Sequence, residues 1–325
     1  MDSLKQNAYT WLITGVAGFI GSNILEYLLI NNQKVVGLDN FITGHNHNLQ
    51  EVQGEVSSAQ WSNFQFIEGD ICNFDTCLAA TQSVDYVLHQ AALGSVPRSL
   101  EDPILTNENN VSKTVSLMSA CCGNVKRFIF SSSSAIYGDV EDNFPSREDG
   151  KNNPKSPYAL QKKIIEDYCS LFYDLYNLES VCLRYFNVYG PGQLGDSPYS
   201  TAVSSWMNCL RFGKTLRSDG DGEQTRDMIY IDDVVKANIK ASQLKRISRG
   251  EVCNVGSGRS YSNKQILSMI ESRVGNISVT EFPEREGDVK HTKADIKKTE
   301  EFLGFKPETN FEAGLEKTLK WWELN

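Results

Sequence analysis

The amino-acid sequence predicts an α/β fold in which a doubly wound parallel sheet is followed by a smaller C-terminal α/β region. Three observations predict it. Short apolar segments alternate with helical patterns through the first half of the chain. Segments such as Lys34-Val35-Val36-Gly37-Leu38 are apolar without alternation, which is typical of strands buried on both faces of a parallel sheet. A glycine-spaced turn joins the first strand to the first helix, as in the strand–turn–helix units of doubly wound sheets.

The elements follow one another in that order. Strands are expected at 9–14, 34–39, 64–68, 84–89 and 127–132, and helices at 19–30, within 104–122 and at about 156–176. From residue 191 onward, short strands, helices and glycine-rich turns succeed each other. No linker or repeat interrupts the chain, so we expect its two parts to pack as one unit.

Composition narrows the class of protein. The 325 residues are 40% hydrophobic and 22% charged, enough for a sizeable core. The net charge of −9 is spread along the chain, which argues against nucleic acid or an anionic membrane as the main partner. The N-terminus lacks the pattern of a signal peptide, and no segment approaches the ~20 apolar residues of a membrane span. We expect a soluble, cytoplasmic protein.

The eight cysteines are scattered, without a Cys-x-x-Cys pair or a histidine cluster. Neither a disulfide framework nor a zinc site has the spacing it would need. We expect reduced thiols, most of them buried, and no metal.

The turn Gly15-x-x-Gly18-x-x-Gly21 predicts a dinucleotide site. The first glycine permits the tight turn, the second lets the main chain approach a pyrophosphate, and the third lets helix and strand pack closely. Asp39 ends the next strand and is placed to accept the ribose hydroxyls of an adenosine; its alternative role is to cap a loop. Because residues 40–44 contain no arginine to offset repulsion of a 2′-phosphate, NAD is favoured over NADP.

Two further strand ends are candidates for the same site. Asp70-Ile71 follows the third strand and resembles the pair that brackets the adenine ring at such sites, although a simple Gly-Asp turn explains it equally well. Gln90-Ala91-Ala92 ends the fourth strand, where small residues let the main chain line a cofactor; packing alone is the alternative.

Tyr158 and Lys162 lie four residues apart and therefore share one face of a helix. A phenol with a pKa of about 10 is a poor base at neutral pH, but a neighbouring ammonium stabilises the phenolate and lowers that pKa. Serines 131–134 end the fifth strand at the same edge of the sheet. A Tyr-x-x-x-Lys pair alone is commonly a surface pair, whereas the ordered set of motifs is much more specific.

In this order and spacing, the motifs resemble the extended short-chain dehydrogenase/reductases over nearly the whole chain. The resemblance implies a Rossmann NAD-binding domain over residues 1–185 and a mainly substrate-binding region over 186–325, with the chain crossing back to the sheet. It implies catalytic roles for Ser133, with Ser134 as the alternative, for Tyr158 and for Lys162. Asn109 matches the helix asparagine that positions the lysine. Further implied NAD contacts are Phe19, Ile20, Asn40, Thr43, Gly44, Tyr158, Lys162, Tyr185 and Val188.

The segment that follows Ser133 indicates the reaction. In this family, sugar-nucleotide 4,6-dehydratases and decarboxylases carry a carboxylate here, but residues 133–138 read Ser-Ser-Ala-Ile-Tyr-Gly. What remains is 4-epimerisation through a transient 4-keto sugar, with NAD kept bound.

The segment 89–99 resembles UDP-N-acetylglucosamine 4-epimerases of bacterial surface-polysaccharide pathways. The resemblance implies that Gly94 and Ser95 line the sugar pocket. UDP-galactose 4-epimerases that reject acetamido sugars carry a bulky tyrosine at the position of Thr292, and the smaller threonine leaves room. The other implied substrate contacts are Ser133, Ser134, Tyr158, Asn187, Arg226, Arg285 and Asp288.

Two features leave alternatives open. Where relatives show an apolar or aromatic pair to hold uracil, this chain has Leu216-Arg217-Ser218, and Pro191-Gly192-Gln193 replaces an Arg-Arg-Gln. The substrate is expected to be UDP-N-acetylglucosamine and UDP-N-acetylgalactosamine or the corresponding uronic acids. The alternatives are an epimerase of UDP-glucose or UDP-glucuronate, a net NAD-dependent oxidoreductase and, as another class, a non-catalytic NAD-binding regulator. A homodimer through the helices that carry Asn109 and Tyr158 is implied by the resemblance.

Overall fold

The computed structural model describes residue 4 and residues 7–139, 144–195, 200–284 and 289–324. The strands are β1 Thr10–Thr14, β2 Lys34–Asp39, β3 Phe64–Glu68, β4 Tyr86–His89, β5 Arg127–Ser133, β6 Ser180–Tyr185, β7 Asn187–Tyr189, β8 Leu216–Asp219, β9 Thr225–Tyr230, β10 Arg249–Val255, β11 Ser260–Ser262 and β12 Val279–Phe282. Within these ranges, seven strands form one sheet in the order β10-β6-β5-β4-β1-β2-β3. Every pairing in it is parallel, so the predicted doubly wound sheet is confirmed.

Helices cover both faces of this sheet. They are α1 Phe19–Ile30, α2 Asn46–Glu55, α3 Ser58–Trp61, α4 Phe74–Thr81, α5 Val96–Glu101, α6 Pro103–Asn107, α7 Lys113–Cys121, α8 Pro157–Tyr176, α9 Ala202–Arg211, α10 Ile231–Ser242, α11 Asn263–Val274, α12 Lys297–Leu303 and α13 Phe311–Trp321. The chain order reverses between β1 and β4. In open α/β sheets, ligands bind outside the carboxyl ends of the strands at such a point.

A hydrophobic core lies on each face of the sheet, because successive side chains of a strand point to opposite faces. On β1, Trp11 and Ile13 belong to one core and Leu12 to the other. This double burial explains why the strands are apolar without alternation.

The C-terminal part adds two small sheets, β11-β9-β7 and β12-β8. It also supplies β10 to the edge of the main sheet, and its side chains Trp206 and Leu315 belong to the same core as Ile24 of α1. The division of roles at residues 185 and 186 stays a prediction.

The helical stretch predicted within residues 104–122 is not continuous. A π-helical turn, Glu108–Ser112, separates α6 from α7. Its Asn110 is buried and hydrogen-bonds the main chain of Leu93 and the side chain of Gln161. Interruptions of this kind are frequent at functional sites. The strand predicted from residue 84 begins at Tyr86, and the strand predicted to end at residue 132 reaches Ser133.

All eight cysteines are free thiols, and five of them are buried. Among the residues that the structure describes, no helix combines the length and apolar character needed to cross a membrane.

Candidate functional site

A groove opens at the carboxyl ends of β1, β2, β3 and β4. It is lined by Gly15, Gly18, Leu38, Asp39, Asn40, Ile42, Thr43, Gly44, Gly69, Asp70, Ile71, Gln90, Ala91, Ala92, Leu93 and Asn109. Most of the predicted cofactor residues therefore line one groove. Leu38, Ile42, Gly69 and Leu93 were not predicted, although each lies next to a predicted residue in the sequence and on the same sheet edge.

The glycine turn leaves no space for side chains where the groove begins. Gly15 has a φ of +70°, and a Cβ there would lie 2.7 Å from the main-chain nitrogen of Ala91. A Cβ on Gly21 would lie 2.1 Å from the carbonyl oxygen of Gly15. The turn thus brings bare main chain to the groove and α1 close to β1, which is what a bound pyrophosphate requires.

Asp39 is held in place by the main chain. Its two carboxylate oxygens accept hydrogen bonds from the nitrogens of Ala17 at 2.9 Å and Phe41 at 2.8 Å. Burial raises the pKa of Asp39, and these bonds oppose that rise. A Cβ on Gly44 would lie 2.9 Å from the carboxylate. Because each carboxylate oxygen accepts more than one hydrogen bond, capping the loop leaves Asp39 able to accept from ribose hydroxyls.

Asp70 belongs to a polar network at the far end of the groove. It accepts hydrogen bonds from Asn40 and Lys113, both at 2.9 Å, and from the nitrogen of Cys72 at 2.8 Å. Burial raises the pKa of Asp70, but the bonds from Cys72 and Lys113 outweigh burial and hold it below its ordinary value. Asp70 therefore carries its charge at the edge of the groove.

Asn109 makes different contacts from those predicted. Its amide donates to the carbonyl of Leu105 at 2.8 Å and accepts from Lys113 at 3.0 Å. Lys162 donates instead to the carbonyl of Ser131 at 2.7 Å. The role of positioning Lys162 therefore stays a prediction for Asn109. The π-helical turn directs the next residue, Asn110, toward α8, where it donates to Gln161.

Ser133, Tyr158 and Lys162 come together where β5 meets the first turns of α8. Lys162 Nζ lies 5.8 Å from the centroid of the Tyr158 ring. Burial raises the pKa of Tyr158, and the neighbouring Ser133 hydroxyl opposes that rise. Burial lowers the pKa of Lys162 to about 7. This geometry suits proton transfer between a bound hydroxyl and the phenol. Ser134 opens the adjacent 3-10 turn, Ser134–Tyr137.

Tyr185 reaches the groove through Gln90. Its hydroxyl lies 3.3 Å from the side-chain oxygen of Gln90 and accepts a hydrogen bond from Asn238 at 2.8 Å. Phe19 and Val188, predicted as cofactor contacts, line neighbouring pockets rather than the groove. Ile20 is partly buried within α1.

Two pockets adjoin the groove on the side of the C-terminal region. One is lined by Gly94 and Ser95 with Phe19, Thr43, His45, Asn48, Arg98, Gly192, Gln193, Leu194, Ser200, Thr201 and Ser204. The other, between β7, β9 and α9, contains Asn187 and Arg226 together with Val188, Trp206, Arg217, Asp219, Gln224 and Asn263. Arg98, Trp206 and Gln224 were not predicted; no local motif marks them, because distant segments bring them together.

Thr292 lies against the second pocket. Its hydroxyl accepts hydrogen bonds from the nitrogen of Asp227 at 3.0 Å and from the amide of Asn187 at 3.3 Å. The predicted contacts Arg285 and Asp288 lie outside the described residues.

Arg217 lies where relatives carry an apolar or aromatic pair. It bonds Asp219 at 2.6 Å and stacks on the ring of Phe282, 4.4 Å from its centroid. The aromatic surface beside this pocket therefore comes from β12, which pairs with β8.

Comparison with known proteins matches residues 11–256 to the NAD dependent epimerase/dehydratase family. A UDP-glucose 4-epimerase of Mycolicibacterium smegmatis is 35% identical over 315 residues, covering 95% of this chain and 97% of the relative. The structure of a UDP-N-acetylglucosamine 4-epimerase from Methanobrevibacter ruminantium, in complex with UDP-N-acetylmuramic acid, superposes with a TM-score of 0.89 at 36% identity and covers 98% and 99% of the two chains. A UDP-glucuronic acid 4-epimerase from Bacillus cereus, in complex with UDP-glucuronic acid and NAD, has a TM-score of 0.88 at 34% identity and covers 97% and 99%.

Proposed function

The chain belongs to the NAD dependent epimerase/dehydratase family, and we propose that it interconverts UDP-N-acetylglucosamine and UDP-N-acetylgalactosamine, or the corresponding uronic acids. UDP-sugar 4-epimerisation is the activity that the named relatives share. NAD is the cofactor of this family, and the groove at the carboxyl edge has the bare main chain and the fixed Asp39 carboxylate that suit it.

The observation that carries the proposal is a serine–tyrosine pair whose following segment has no carboxylate. The Ser133 hydroxyl acts on the pKa of Tyr158, and residues 133–138 contain no carboxylate. Elimination of water needs an acid and a base beyond the tyrosine, so this segment favours a reaction in which the 4-keto sugar is reduced again without loss of water. When bound, NAD supplies the acceptor for one hydride and returns it.

The chain's own residues handle the proton. Tyr158, as a phenolate, accepts the proton of the sugar 4-hydroxyl. Ser133 orients that hydroxyl and relays the proton. Lys162 stabilises the phenolate by its charge. After the 4-keto sugar turns in the pocket so that its opposite face is reduced, Tyr158 returns the proton to the C4 oxygen.

The 2-acetamido group is proposed from Thr292. The threonine is smaller than a tyrosine, so it leaves more room beside the pocket, and its hydroxyl is engaged with Asn187 and Asp227. Asn187 and Arg226 are proposed to contact the diphosphate, because amide and guanidinium groups donate well to phosphate oxygens.

The test is turnover without added cofactor. Purified protein is incubated with UDP-N-acetylglucosamine and no added NAD, and the sugar is followed by NMR; the expected product is UDP-N-acetylgalactosamine. Parallel incubations use UDP-glucose, UDP-glucuronic acid and the uronic acid of the acetamido sugar. Turnover of UDP-glucose with none of either acetamido substrate would refute the specificity. Stoichiometric consumption of added NAD(H) would support the oxidoreductase instead.

A homodimer is proposed from an exposed apolar surface. Leu100, Ile104, Leu105 and Leu160 are exposed on α5, α6 and α8, which pack against one another. Exposed apolar side chains on neighbouring helices favour a protein partner, and a second copy would cover them across the same helices. Light scattering of the wild type and of Ile104→Lys tests this: the wild type is expected to be dimeric and the variant monomeric.

A further inference from the structure

A buried ion pair lies between α8 and the carboxyl end of β6, beside the proposed proton-transfer residues. The side chains of Glu166 and Arg184 are only 3% and 2% exposed. Arg184 donates to both carboxylate oxygens, at 2.8 and 2.7 Å. Removing two charges from water costs free energy that their attraction does not always offset. An ion pair of this kind is therefore weak evidence for stability, and the residues that it contacts indicate whether it also acts on the site.

Those contacts lead to both sides of the site. Glu166 lies one helical turn beyond Lys162 on α8, and its carboxylate accepts a hydrogen bond from Ser132 at 2.6 Å. Lys162 donates to the carbonyl of Ser131 at 2.7 Å. Two adjacent bonds thus join the end of β5 to α8 immediately before Ser133. They fix the separation of strand and helix across which Ser133 reaches Tyr158.

Arg184 is itself fixed on a second side. Its guanidinium stacks on the ring of Tyr137, 4.6 Å from the centroid, and donates to Asn152 at 3.2 Å. The Tyr137 hydroxyl donates to Asn254 at 2.6 Å. The carboxylate of Glu166 is therefore positioned by a network of side chains and not by its own helix alone.

The charges around Lys162 make Glu166 its electrostatic partner. From β4, His89 is buried and neutral, because burial and the charge of Lys162 lower its pKa to about 3. From β6, Arg184 lies behind Glu166, and on α8 the phenol of Tyr158 is uncharged at rest. Burial alone lowers the pKa of Lys162, and Glu166 opposes that decrease.

We propose that Glu166, clamped by Arg184, is a positioning residue: it holds the end of β5 against α8 and places a negative charge one helical turn from Lys162. The inference rests on the proposed function, because it assigns the pair a role in proton transfer to and from the sugar.

The test is the substitution Glu166→Gln, which keeps the shape and the acceptor for Ser132 but removes the charge. We expect kcat to fall by about tenfold or more, while KM changes by less than about threefold, as for an interaction that acts on the transition state. Without the charge of Glu166, Lys162 would lose its proton at lower pH. Without the charge of Lys162 beside it, Tyr158 would keep its proton to higher pH. The pH range of activity should therefore narrow from both sides. Glu166→Asp retains the charge, so it should keep the wild-type range even where kcat falls.

Glu179→Gln is the matched control. Glu179 precedes β6 and pairs with Arg127 at 2.5 Å, at the opposite end of the strand from Arg184. We expect the Glu179→Gln substitution to lower Tm and to leave the pH range of activity unchanged. A Glu166→Gln variant that lowers Tm with an unchanged pH range would overturn the inference and leave a structural pair only.

A second measurement separates this inference from the proposed function. The tyrosinate absorbance of each protein, minus that of the same protein carrying Tyr158→Phe, follows ionisation of Tyr158 without turnover. A higher midpoint in Glu166→Gln than in the wild type supports the inference, and an equal midpoint overturns it. A wild type that turns over no UDP-sugar would instead overturn the proposed function alone.

Discussion

The two ends of β5 and β6 carry similar groups in different surroundings. At the amino end, Arg127 bonds Glu179 and four main-chain carbonyls of residues 241–246, at the end of α10. At the carboxyl end, Arg184 bonds Glu166, which reaches Ser132 and lies one turn from Lys162. The first arginine satisfies the free carbonyls of a helix terminus, whereas the second acts on side chains of the site. An arginine–glutamate ion pair therefore indicates a functional role only when the residues that it contacts belong to the site.

This comparison predicts that substitutions at the carboxyl ends of β5 and β6 lower activity, whereas substitutions at their amino ends lower stability. Tyr158→Phe is the sharpest case. It deletes one partly buried hydroxyl, so kcat should fall by about 10²–10⁴-fold while Tm stays within a few degrees of the wild type. Steady-state assays and thermal unfolding measure the two quantities. A variant that retains more than about a tenth of wild-type kcat would exclude Tyr158 as the base.

Arg127→Met gives the opposite result at the amino end. It leaves several buried carbonyls without a donor and Glu179 without its partner, at a cost of about 2–4 kcal/mol in the free energy of unfolding. Denaturant unfolding should show that loss, and kcat at 25 °C should stay within about twofold. Lost turnover in protein that remains fully folded would mean that the two ends are coupled.

Thr292→Tyr tests a part of the carboxyl edge that binds rather than reacts. The added ring fills the space beside Asn187, so kcat/KM for UDP-N-acetylglucosamine should fall by about 10–100-fold, equivalent to about 1.4–2.7 kcal/mol. Turnover of UDP-glucose should change by less than about threefold. Equal losses for both sugars, measured by NMR in competition, would show that Thr292 does not gate the acetamido group.

Much of the site could be predicted because its signals are local. The glycine spacing, Asp39 at the end of β2 and the four-residue separation of Tyr158 and Lys162 each depend on one turn of chain. The parallel order of the strands then brings them to one edge. The π-helical turn could not be predicted in this way, and it places Asn110 in a buried position where it bonds Leu93 and Gln161.

The sequence by itself determined the doubly wound sheet, the dinucleotide groove and the grouping of Ser133, Tyr158 and Lys162, since apolar runs and short motifs encode them within a few residues. Only the tertiary structure decided which neighbours those residues have. Glu166 meets Arg184, Thr292 meets Asn187, and Arg217 meets Phe282 because separate strands and helices pack side by side. Such contacts depend on how elements distant in the chain pack together, and the spacing of residues within one motif does not predict that packing.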